Sequence, residues 1–440
     1  MSLRSAALVV ASLAVAAAAK AWVESQQRRR AAAAHGQRRR AELAAKYDLD
    51  MEGGFVPLHV VARLPSPAFD GWERLVDELP RLNLTGGLPG AVEALPLIDY
   101  EEVLNGDCAL QKRAFVVLAM LIHSYIHGHE FPWQDSPQME GVPFRPWPSA
   151  SPPHVVPVQL AKPFAFVCEK LGLPMIMTST ASDLWNWKRV DGKRTLSNVK
   201  DMLPISRMTL EPAETYFHLI PGAMSHAAGR QGIVFDLFDI DKTIEANDLV
   251  RAGNILDCLS GLFREFTEIF STIHQLVPVE SFLRYRLLLQ GHEIEFDLGD
   301  KREKVSCVGV SAGQTSMIVL FDIALGIDHK FSALEYHTEM LKYLPGKHRK
   351  LLLDFKAKIT HSGSLRELAV YPLVNPKYEA CISAYQSWRK YHLAVVSRYL
   401  RALSKGTGGS DFRDLLKQNI ADTAASSMVS SSSKKTDLVI

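Results

Sequence analysis

The stretch KYEACISAYQSWRKYHLAVVSRYLRAL, from Lys377 to Leu403, has apolar residues at the spacing of one helix face. This stripe repeats every three or four residues and consists of Tyr385, Trp388, His392, Val396, Tyr399 and Leu403. A helix here therefore directs His392 toward the core. By pattern alone, a histidine in such a stripe is more often a hydrogen-bonded core residue than a metal ligand, so both roles stay open at this point.

Further helical patterns surround this stretch in the second half of the chain. Their approximate ranges are 241–274, 279–290, 311–325, 331–344 and 348–360. The lengths of these segments and their short connections predict a helical bundle, and hence a mainly all-α fold. At the start of one of them, Ser311 followed three residues later by Gln314 predicts a capping box.

The first half shows fewer helical patterns. They cover roughly 69–82, 100–127 and 158–171. Between the last two lies the Pro-rich stretch from Phe131 to Pro157, which is incompatible with a regular helix. No convincing strand alternation accompanies these segments, so a helical fold is expected here as well.

The charge and cysteine content exclude some classes of function. The formal net charge is +2, and the first forty residues hold eight basic side chains against the single Glu24. The rest of the chain is close to neutral, which argues against nucleic acid as the main partner. The five cysteines form no CxxC pair and are odd in number, so the sequence predicts neither a disulfide framework nor a cysteine zinc site.

The N-terminal segment has three interpretations. Ser5 to Ala19 is an uncharged apolar run, just short of the ~20 residues that span a bilayer. It is compatible with a membrane anchor whose arginine-rich side stays in the cytosol, with a cleaved mitochondrial or other organellar presequence, or with a secretory signal. The cysteine pattern makes secretion the weakest of the three, and a cytoplasmic or cytosol-facing location is expected.

A second group of histidines lies in IHSYIHGHE, where His123 and His127 share one helix face at a spacing that suits metal chelation. There is no HExxH glutamate between them, and the Pro-rich stretch that follows offers no obvious third ligand. His218 and His226 likewise have no partner at ligand spacing. A structural role is the simpler interpretation of all these histidines.

Three collinear segments resemble the indoleamine 2,3-dioxygenase family. They are SAGQTS from Ser311 with the apolar run after it, SWRKYHL from Ser387 to Leu393, and KGTGGSD from Lys405 to Asp411. Weaker matches occur at Asn186-Trp187-Lys188, in SFLRYRLLLQG and in YLPGKHRKLL. Together the matches run in order from about residue 157 to 416, which is far more specific than any one motif.

The resemblance implies a haem b cofactor with His392 as the proximal iron ligand, leaving the opposite axial position for O2. It also implies that Arg389 pairs with Asp322 across two helices, although an ordinary surface arginine is the alternative. Ala312 and Ser311 belong to the turn that lies against the haem and the substrate in this family. No protein general base is expected, since the cofactor carries the oxygen chemistry.

Substrate contacts are implied in the same way. Arg286 falls where the family binds the carboxylate of an amino acid, a task suited to a planar bidentate donor. Arg284 and Arg286 cannot share a helix face, so at most one points into the pocket. Thr407 lies in the mobile glycine-rich loop. The aromatic walls of the pocket are assigned to Phe282, Tyr216 and Phe217, with Ile220 beside them.

Some pocket positions depart from the family pattern. Ser281 stands where the family has an aromatic residue, and such a side chain is the natural partner of an indole ring. Ser179, Ser182 and Asp183 fall in a segment that lines the indole pocket, where mammalian members have bulkier or less polar side chains. The loss of the aromatic residue at Ser281 is expected to weaken the binding of L-tryptophan, whereas haem binding does not depend on it.

The resemblance predicts a haem dioxygenase that cleaves the indole C2–C3 bond of L-tryptophan or another indoleamine with O2. The product is N-formylkynurenine, at the first step of the kynurenine pathway. The alternatives are a haem protein that binds or senses a small ligand with weak or no dioxygenase activity, and a membrane-tethered helical interaction protein without cofactor.

The predicted organisation has four parts. Residues 1–40 form the anchor or targeting segment, and 41–205 form a smaller helical domain covering the distal side of the haem. Residues 206–418 form the large haem-binding domain, and the serine-rich residues 419–440 form a disordered tail. The protein is expected to be monomeric.

Overall fold

The computed structural model describes residue 22, residues 25–27, 34–146, 155–190, 198–291 and 293–401, residue 406 and residues 411–428. The predicted anchor over Ser5–Ala19 and the loop residue Thr407 therefore lie outside the described residues. Helix accounts for 66% of the structure and strand for 5%. The mainly helical fold predicted from the sequence is confirmed.

Seven helices are described in the first half of the chain. They are α1 (34–47), α2 (Asp70–Asp77), α3 (Leu79–Leu84), α4 (Leu88–Glu93), α5 (Glu101–Leu104), α6 (Cys108–His127) and α7 (Val158–Leu171). Helix α7 has the bounds that the sequence predicts, because Pro157 precedes it and Gly172, in a left-handed conformation at φ 66°, ends it. The other predicted segments are divided into two helices each.

Helix α6 is the central buried helix of this half and packs along α7. Asp107 caps its N-terminus, since the carboxylate accepts hydrogen bonds from the amides of Ala109 (2.8 Å) and Leu110 (3.2 Å). Within the described residues it is the one helix long and apolar enough to cross a membrane. We interpret it as a core helix because 78% of its apolar window is buried inside the protein.

Twelve further helices are described in the second half: α8 (Pro212–Arg230), α9 (Ile233–Phe238), α10 (Ile240–Glu245), α11 (Leu249–Ser271), α12 (Ile273–Leu276), α13 (Val279–Tyr285), α14 (Ser316–Leu325), α15 (Phe331–Met340), α16 (Gly346–Ser362), α17 (Leu365–Leu368), α18 (Asn375–Tyr399) and α19 (Phe412–Ala425). The long helices α11 and α18 pack against each other over most of their length. Helix α8 covers α11, and α19 covers α18. Residues 377–399 thus lie at the centre of the bundle.

Strands are few, and none was predicted. Strand β1 (Val155–Val156) pairs in parallel with β4 (Glu293–Asp297), which pairs antiparallel with β5 (Arg302–Ser306). Strands β2 (Trp187–Arg189) and β3 (Met202–Pro204) form a separate antiparallel pair. The β1–β4 pairing joins the two halves of the chain, and one continuous buried core runs from Tyr47 to Phe412. The proposed domain boundary at 205/206 stays a prediction.

The prediction of a disordered tail from residue 419 is wrong for residues 419–425. These residues form the second half of α19, and Asn419, Asp422 and Thr423 are buried against the bundle. At the other end of the chain, ion pairs bind α1 to the bundle, and two of them involve its arginines. Arg39 contacts Asp239 at 2.5 and 2.7 Å, and Arg40 contacts Asp236 at 2.9 Å. Residues 34–40 of the predicted targeting segment thus include part of a packed helix.

Candidate active site

His392 lies two turns before the C-terminal end of α18, on the face directed at α11. Its imidazole stacks on Trp388, with ring centroids 5.7 Å apart and planes inclined by 8°, and it contacts Phe270 at 5.4 Å. Burial lowers the pKa of His392 to about 4, and the charge of Arg389 adds to the effect. The imidazole is therefore neutral at pH 7, and it makes no hydrogen bond to any described residue. A neutral ring nitrogen without a partner is suited to ligate iron.

One turn before His392, Arg389 is buried and paired through both terminal nitrogens. Its Nη2 donates to both carboxylate oxygens of Asp322 at 2.7 and 2.8 Å, and its Nη1 donates to Asn419 O at 2.9 Å and to the hydroxyl of Thr423. Tyr385 OH donates to the same carboxylate at 2.8 Å. Burial alone would raise the pKa of Asp322, but the Arg389 charge holds it well below its usual value. Arg389 is thus not a surface arginine.

Two histidines that the sequence analysis did not consider extend this network. His329 places Nε2 at 2.8 Å from Asp322 and Nδ1 at 3.3 Å from Asp422, while His337 Nε2 lies 3.1 Å from Asn419 Oδ1. The ligand-type atoms of Asp322, His329 and His337 lie within 4.8 Å of one another. Because the Asp322 oxygens already accept from Arg389 and Tyr385, we interpret the group as a hydrogen-bonded network.

The turn before α14 differs from its prediction. Helix α14 begins at Ser316, with Thr315 at its N-cap, so the capping box of Ser311 with Gln314 is wrong. Gln314 instead donates to Gly309 O (2.9 Å) and accepts from Ser179 N (3.0 Å), and Ser311 Oγ lies 2.6 Å from Tyr336 OH. These tertiary bonds hold the turn in place without a helical cap. Ala312 is exposed at the tip of the turn.

The two arginines that follow Phe282 have different environments. Arg284 forms a bidentate ion pair with the buried Glu211, with Nε–Oε1 and Nη2–Oε2 distances of 2.6 and 3.0 Å. Arg286 is half-buried in the turn after α13, and its Nε is buried without a hydrogen-bond partner in the described structure. Burial lowers the pKa of Arg286. An unpaired, desolvated guanidinium fits the carboxylate of an amino acid.

The aromatic side chains assigned to the pocket lie on α8 and α13. Phe217 contacts Phe282 with centroids 4.9 Å apart, and Phe282 contacts Tyr399 of α18 at 5.5 Å. Tyr216 is half-buried beside Phe217. These contacts connect α13, which ends directly before Arg286, to α18, which carries His392.

The comparison with known families agrees with this geometry. The family model described as indoleamine 2,3-dioxygenase matches residues 43–405. The chain belongs to the indoleamine 2,3-dioxygenase family. The resemblance seen in the sequence is thereby confirmed, and the match extends well before the segments that first indicated it.

Individual relatives of this family are similar over most of their length. The chain is 26% identical to indoleamine 2,3-dioxygenase 1 of Rattus norvegicus over 431 residues, covering 90% of this chain and 97% of the relative. It is 24% identical to indoleamine 2,3-dioxygenase of Saccharomyces cerevisiae, covering 81% and 79%. It is 26% identical to 6-hydroxytryptophan 2,3-dioxygenase of Fusarium equiseti, covering 83% and 87%.

Within this indoleamine 2,3-dioxygenase fold, Ser281 has a structural role. Its Oγ accepts a hydrogen bond from the backbone amide of Ala213 at 3.0 Å, at the start of α8. The first-turn amides of a helix have no partner within the helix, so Ser281 satisfies one of them. The side chain that replaces an aromatic residue is therefore bonded to α8.

Asp183, His218 and Tyr285 form a buried chain of hydrogen bonds that the sequence analysis missed. The Asp183 carboxylate lies 2.7 Å from His218 Nδ1, and Tyr285 OH lies 2.7 Å from His218 Nε2. The three residues are far apart in the sequence and share no motif, so no local pattern could have found them. Asp183 was noted as a departure from the family, but His218 was interpreted as a lone structural residue.

The remaining histidine candidate is structural. His123 Nδ1 donates to Leu288 O at 2.9 Å, and its Nε2 accepts from Met177 N at 3.0 Å. Both ring nitrogens are thereby used, which excludes His123 as a metal ligand in this conformation. Among the described residues, His127 does not belong to any cluster with metal-ligand spacing.

Proposed function

We propose that this chain is a haem-dependent dioxygenase that cleaves the indole C2–C3 bond of L-tryptophan or a related indoleamine with O2 to give N-formylkynurenine. One observation carries the proposal. A neutral, unpaired imidazole (His392) lies on α18, and a partly desolvated guanidinium with an unpaired Nε (Arg286) follows α13. The contact of Phe282 with Tyr399 joins these two helices. The imidazole suits an iron ligand, and the guanidinium suits a substrate carboxylate.

The residues around His392 fit haem b as the cofactor. His392 would ligate the iron, and Arg389 with Asp322 would fix the turn of α18 that carries it. Ala312 and Ser311 would lie against the porphyrin from the turn before α14. When bound, the haem supplies the binding and activation of O2.

The protein's own contribution is to bind and orient the substrate. A charge-assisted hydrogen bond from Arg286 to a carboxylate is worth about 1.5–3 kcal/mol. The apolar faces of Tyr216, Phe217 and Phe282 exclude water and hold the indole ring in place. Thr407 would add a hydroxyl and an amide at the polar end of the substrate. No side chain needs to act as a general base.

The proposal is tested by one spectrum and one assay. The purified full-length protein, reduced with and without carbon monoxide, should show a haem Soret band, and His392→Ala should lose the haem or change its ligation. His361→Ala, on an exposed histidine of α16, is the matched control and should leave the spectrum unchanged. Full haem retention with unaltered ligation in His392→Ala would refute the assignment. Formation of N-formylkynurenine from L-tryptophan, followed by absorbance, tests the reaction.

A second function is favoured by Ser281, which removes an aromatic side chain from the wall that would face an indole ring. The protein would then bind haem and a small ligand with weak or no dioxygenase activity. A normal Soret band combined with negligible turnover of L-tryptophan would support this alternative.

We further propose that the N-terminal run associates with membranes from the cytosolic side, and that the protein is monomeric. The support is the apolar run over Ser5–Ala19, followed by arginines. Carbonate extraction of cell fractions tests the first proposal, and an organellar location of a shortened chain would favour a presequence instead. Light scattering of purified protein tests the second.

A further inference from the structure

The chain Asp183–His218–Tyr285 belongs to a set of hydrogen bonds that links the segment before Arg286 to the turn at residues 311–314. Ser179 attaches the 179–184 segment to Gln314 through two hydrogen bonds of 2.6 and 3.0 Å. Asp183 attaches the same segment to α8 through His218. His218 then attaches α8 to Tyr285, the residue before Arg286. Three bonded links thus connect the two parts of the proposed pocket.

The hydrogen positions in this chain follow from burial. Tyr285 is completely buried, and burial raises its pKa well above the usual value, so its hydroxyl keeps its proton and donates to His218 Nε2. The other ring nitrogen, Nδ1, then carries the imidazole proton and donates it to Asp183. One ring proton, on Nδ1, satisfies both bonds, and the acceptor at the end of the chain is the Asp183 carboxyl group. Burial raises the pKa of Asp183 above its usual value, although the hydrogen bond from His218 opposes this effect.

Only one of the two oxygens of this carboxylate accepts a hydrogen bond from a described residue. Its Oδ1 accepts from His218 and, at 3.3 Å, from Ser182 Oγ. Its Oδ2 has no hydrogen-bond partner among the described residues, and the Asp183 side chain is 14% exposed. Asp183 is partly exposed and this oxygen is open to solvent, so it can accept a hydrogen bond from a ligand.

The carboxylates of Glu211 and Glu214, which lie near this chain of hydrogen bonds, already have partners. Glu211 is paired with Arg284, and Glu214 accepts from Met208 N and from the amide and hydroxyl of Thr209, at 2.5, 2.7 and 2.7 Å. The wall therefore presents two uncommitted groups of opposite polarity. One is the Arg286 guanidinium, and the other is the second oxygen of Asp183.

We propose that Asp183 is a specificity-determining residue whose open oxygen accepts a hydrogen bond from a hydroxyl group on the indole ring of the substrate. The preferred substrate class is then a ring-hydroxylated indole amino acid, with its carboxylate at Arg286 and its hydroxyl at Asp183. His218 and Tyr285 are positioning residues that orient the carboxylate. This inference rests on the proposed function, since it assumes that Arg286 receives the substrate carboxylate.

The test is equilibrium binding to the full-length ferric holoprotein, measured by titration calorimetry. The probes are L-tryptophan, 5-hydroxy-L-tryptophan and 6-hydroxy-L-tryptophan. One of the two hydroxylated compounds should bind about 10- to 100-fold more tightly than L-tryptophan, as expected for a hydrogen bond to an ionised acceptor. Equal affinity for all three compounds overturns the proposal.

Variants assign the preference to Asp183. Asp183→Leu should abolish the preference, while Asp300→Asn, which changes an exposed carboxylate after β4, should keep it. His218→Leu should reduce the preference. His218→Gln should restore part of it, because an amide can donate to Asp183 and accept from Tyr285. A merely structural role would change both affinities together and leave their ratio unchanged.

The outcomes separate the two proposals. Absence of haem, or haem without turnover of any of the three compounds, counts against the proposed function. A holoprotein that oxidises L-tryptophan but keeps the same affinity ratio in Asp183→Leu overturns only the role of Asp183. If Asp183→Leu does not fold, the ratios measured for the wild type and for the two His218 variants decide the question.

Discussion

Replacing Asp322 by asparagine leaves the Arg389 guanidinium buried without its counter-charge. Both side chains are only 6% exposed, and one guanidinium nitrogen lies 2.7 and 2.8 Å from the two carboxylate oxygens. Removing one partner of a buried ion pair costs about 3–5 kcal/mol. Asparagine keeps one acceptor oxygen, so we expect Asp322→Asn to lower the free energy of unfolding by about 3 kcal/mol, at the lower end of that range.

The expected loss of stability can be measured as a change in melting temperature, with thermal unfolding followed by circular dichroism. An unfolding entropy of about 2.1 cal/mol/K per residue gives about 0.9 kcal/mol/K for a chain of 440 residues. The melting temperature of Asp322→Asn should therefore fall by about 3 °C. The matched control is Asp257→Asn, whose partner Lys377 lies in an exposed pair with side chains 58% and 34% exposed. That variant should lose about 1 °C or less.

A double variant separates the ion pair from the space that it fills. Replacing both Asp322 and Arg389 by leucine removes the unpaired charge, so the double variant should recover part of the stability lost in Asp322→Asn. The reasoning is refuted if Asp322→Asn melts no earlier than Asp257→Asn.

Three further predictions concern the pocket and the pH dependence of stability. Arg286→Lys should raise the KM for L-tryptophan about 10-fold with little change in kcat, because a lysine cannot supply the planar fork; N-formylkynurenine formation measures this. Ser281→Phe should lower that KM, yet reduce the melting temperature, because Ala213 N loses its acceptor. Burial lowers the pKa of His348 to about 4 from 6.5, so the unfolded chain binds more protons between these pH values. The free energy of unfolding should fall as the pH is lowered from 6.5 to 4, and His348→Gln should flatten that fall in urea titrations.

The sequence predicts helices where periodicity and end signals agree. Helix α7 matches its predicted bounds because Pro157 and Gly172 mark both ends. Helix α8 was missed because Pro221 and Gly222 interrupt its pattern, although neighbouring helices hold it in place. Strands β4 and β5 were missed because they are short, and in β5 no residue is fully buried. In these segments tertiary packing decides the structure, and local pattern does not.

Some features of the candidate site could also be predicted from the sequence, and others could not. The proposed role of His392 as iron ligand depends on the family resemblance, since periodicity alone left a core histidine and a ligand as alternatives. The pairing of Arg389 with Asp322 joins residues 67 positions apart, and Tyr285 lies 67 positions from His218. Such pairs depend on which helices meet, which no local pattern contains. The disordered tail was predicted from composition, whereas Arg389 stabilises the end of α19 through Asn419 and Thr423.

Helix α18 connects the proposed iron ligand to the segment that leads to the proposed substrate anchor. It carries His392 and, two turns later, Tyr399, whose hydroxyl donates to Ile273 O and Val277 O at 3.0 and 2.6 Å. These bonds fix the start of the segment that leads to Phe282 and Arg286. A dioxygenase without a general base depends on the position of substrate relative to iron, and such positions are most precise on rigid elements. The spacing between the proposed iron ligand and the proposed carboxylate anchor therefore depends on α18 and on the two hydrogen bonds of its Tyr399.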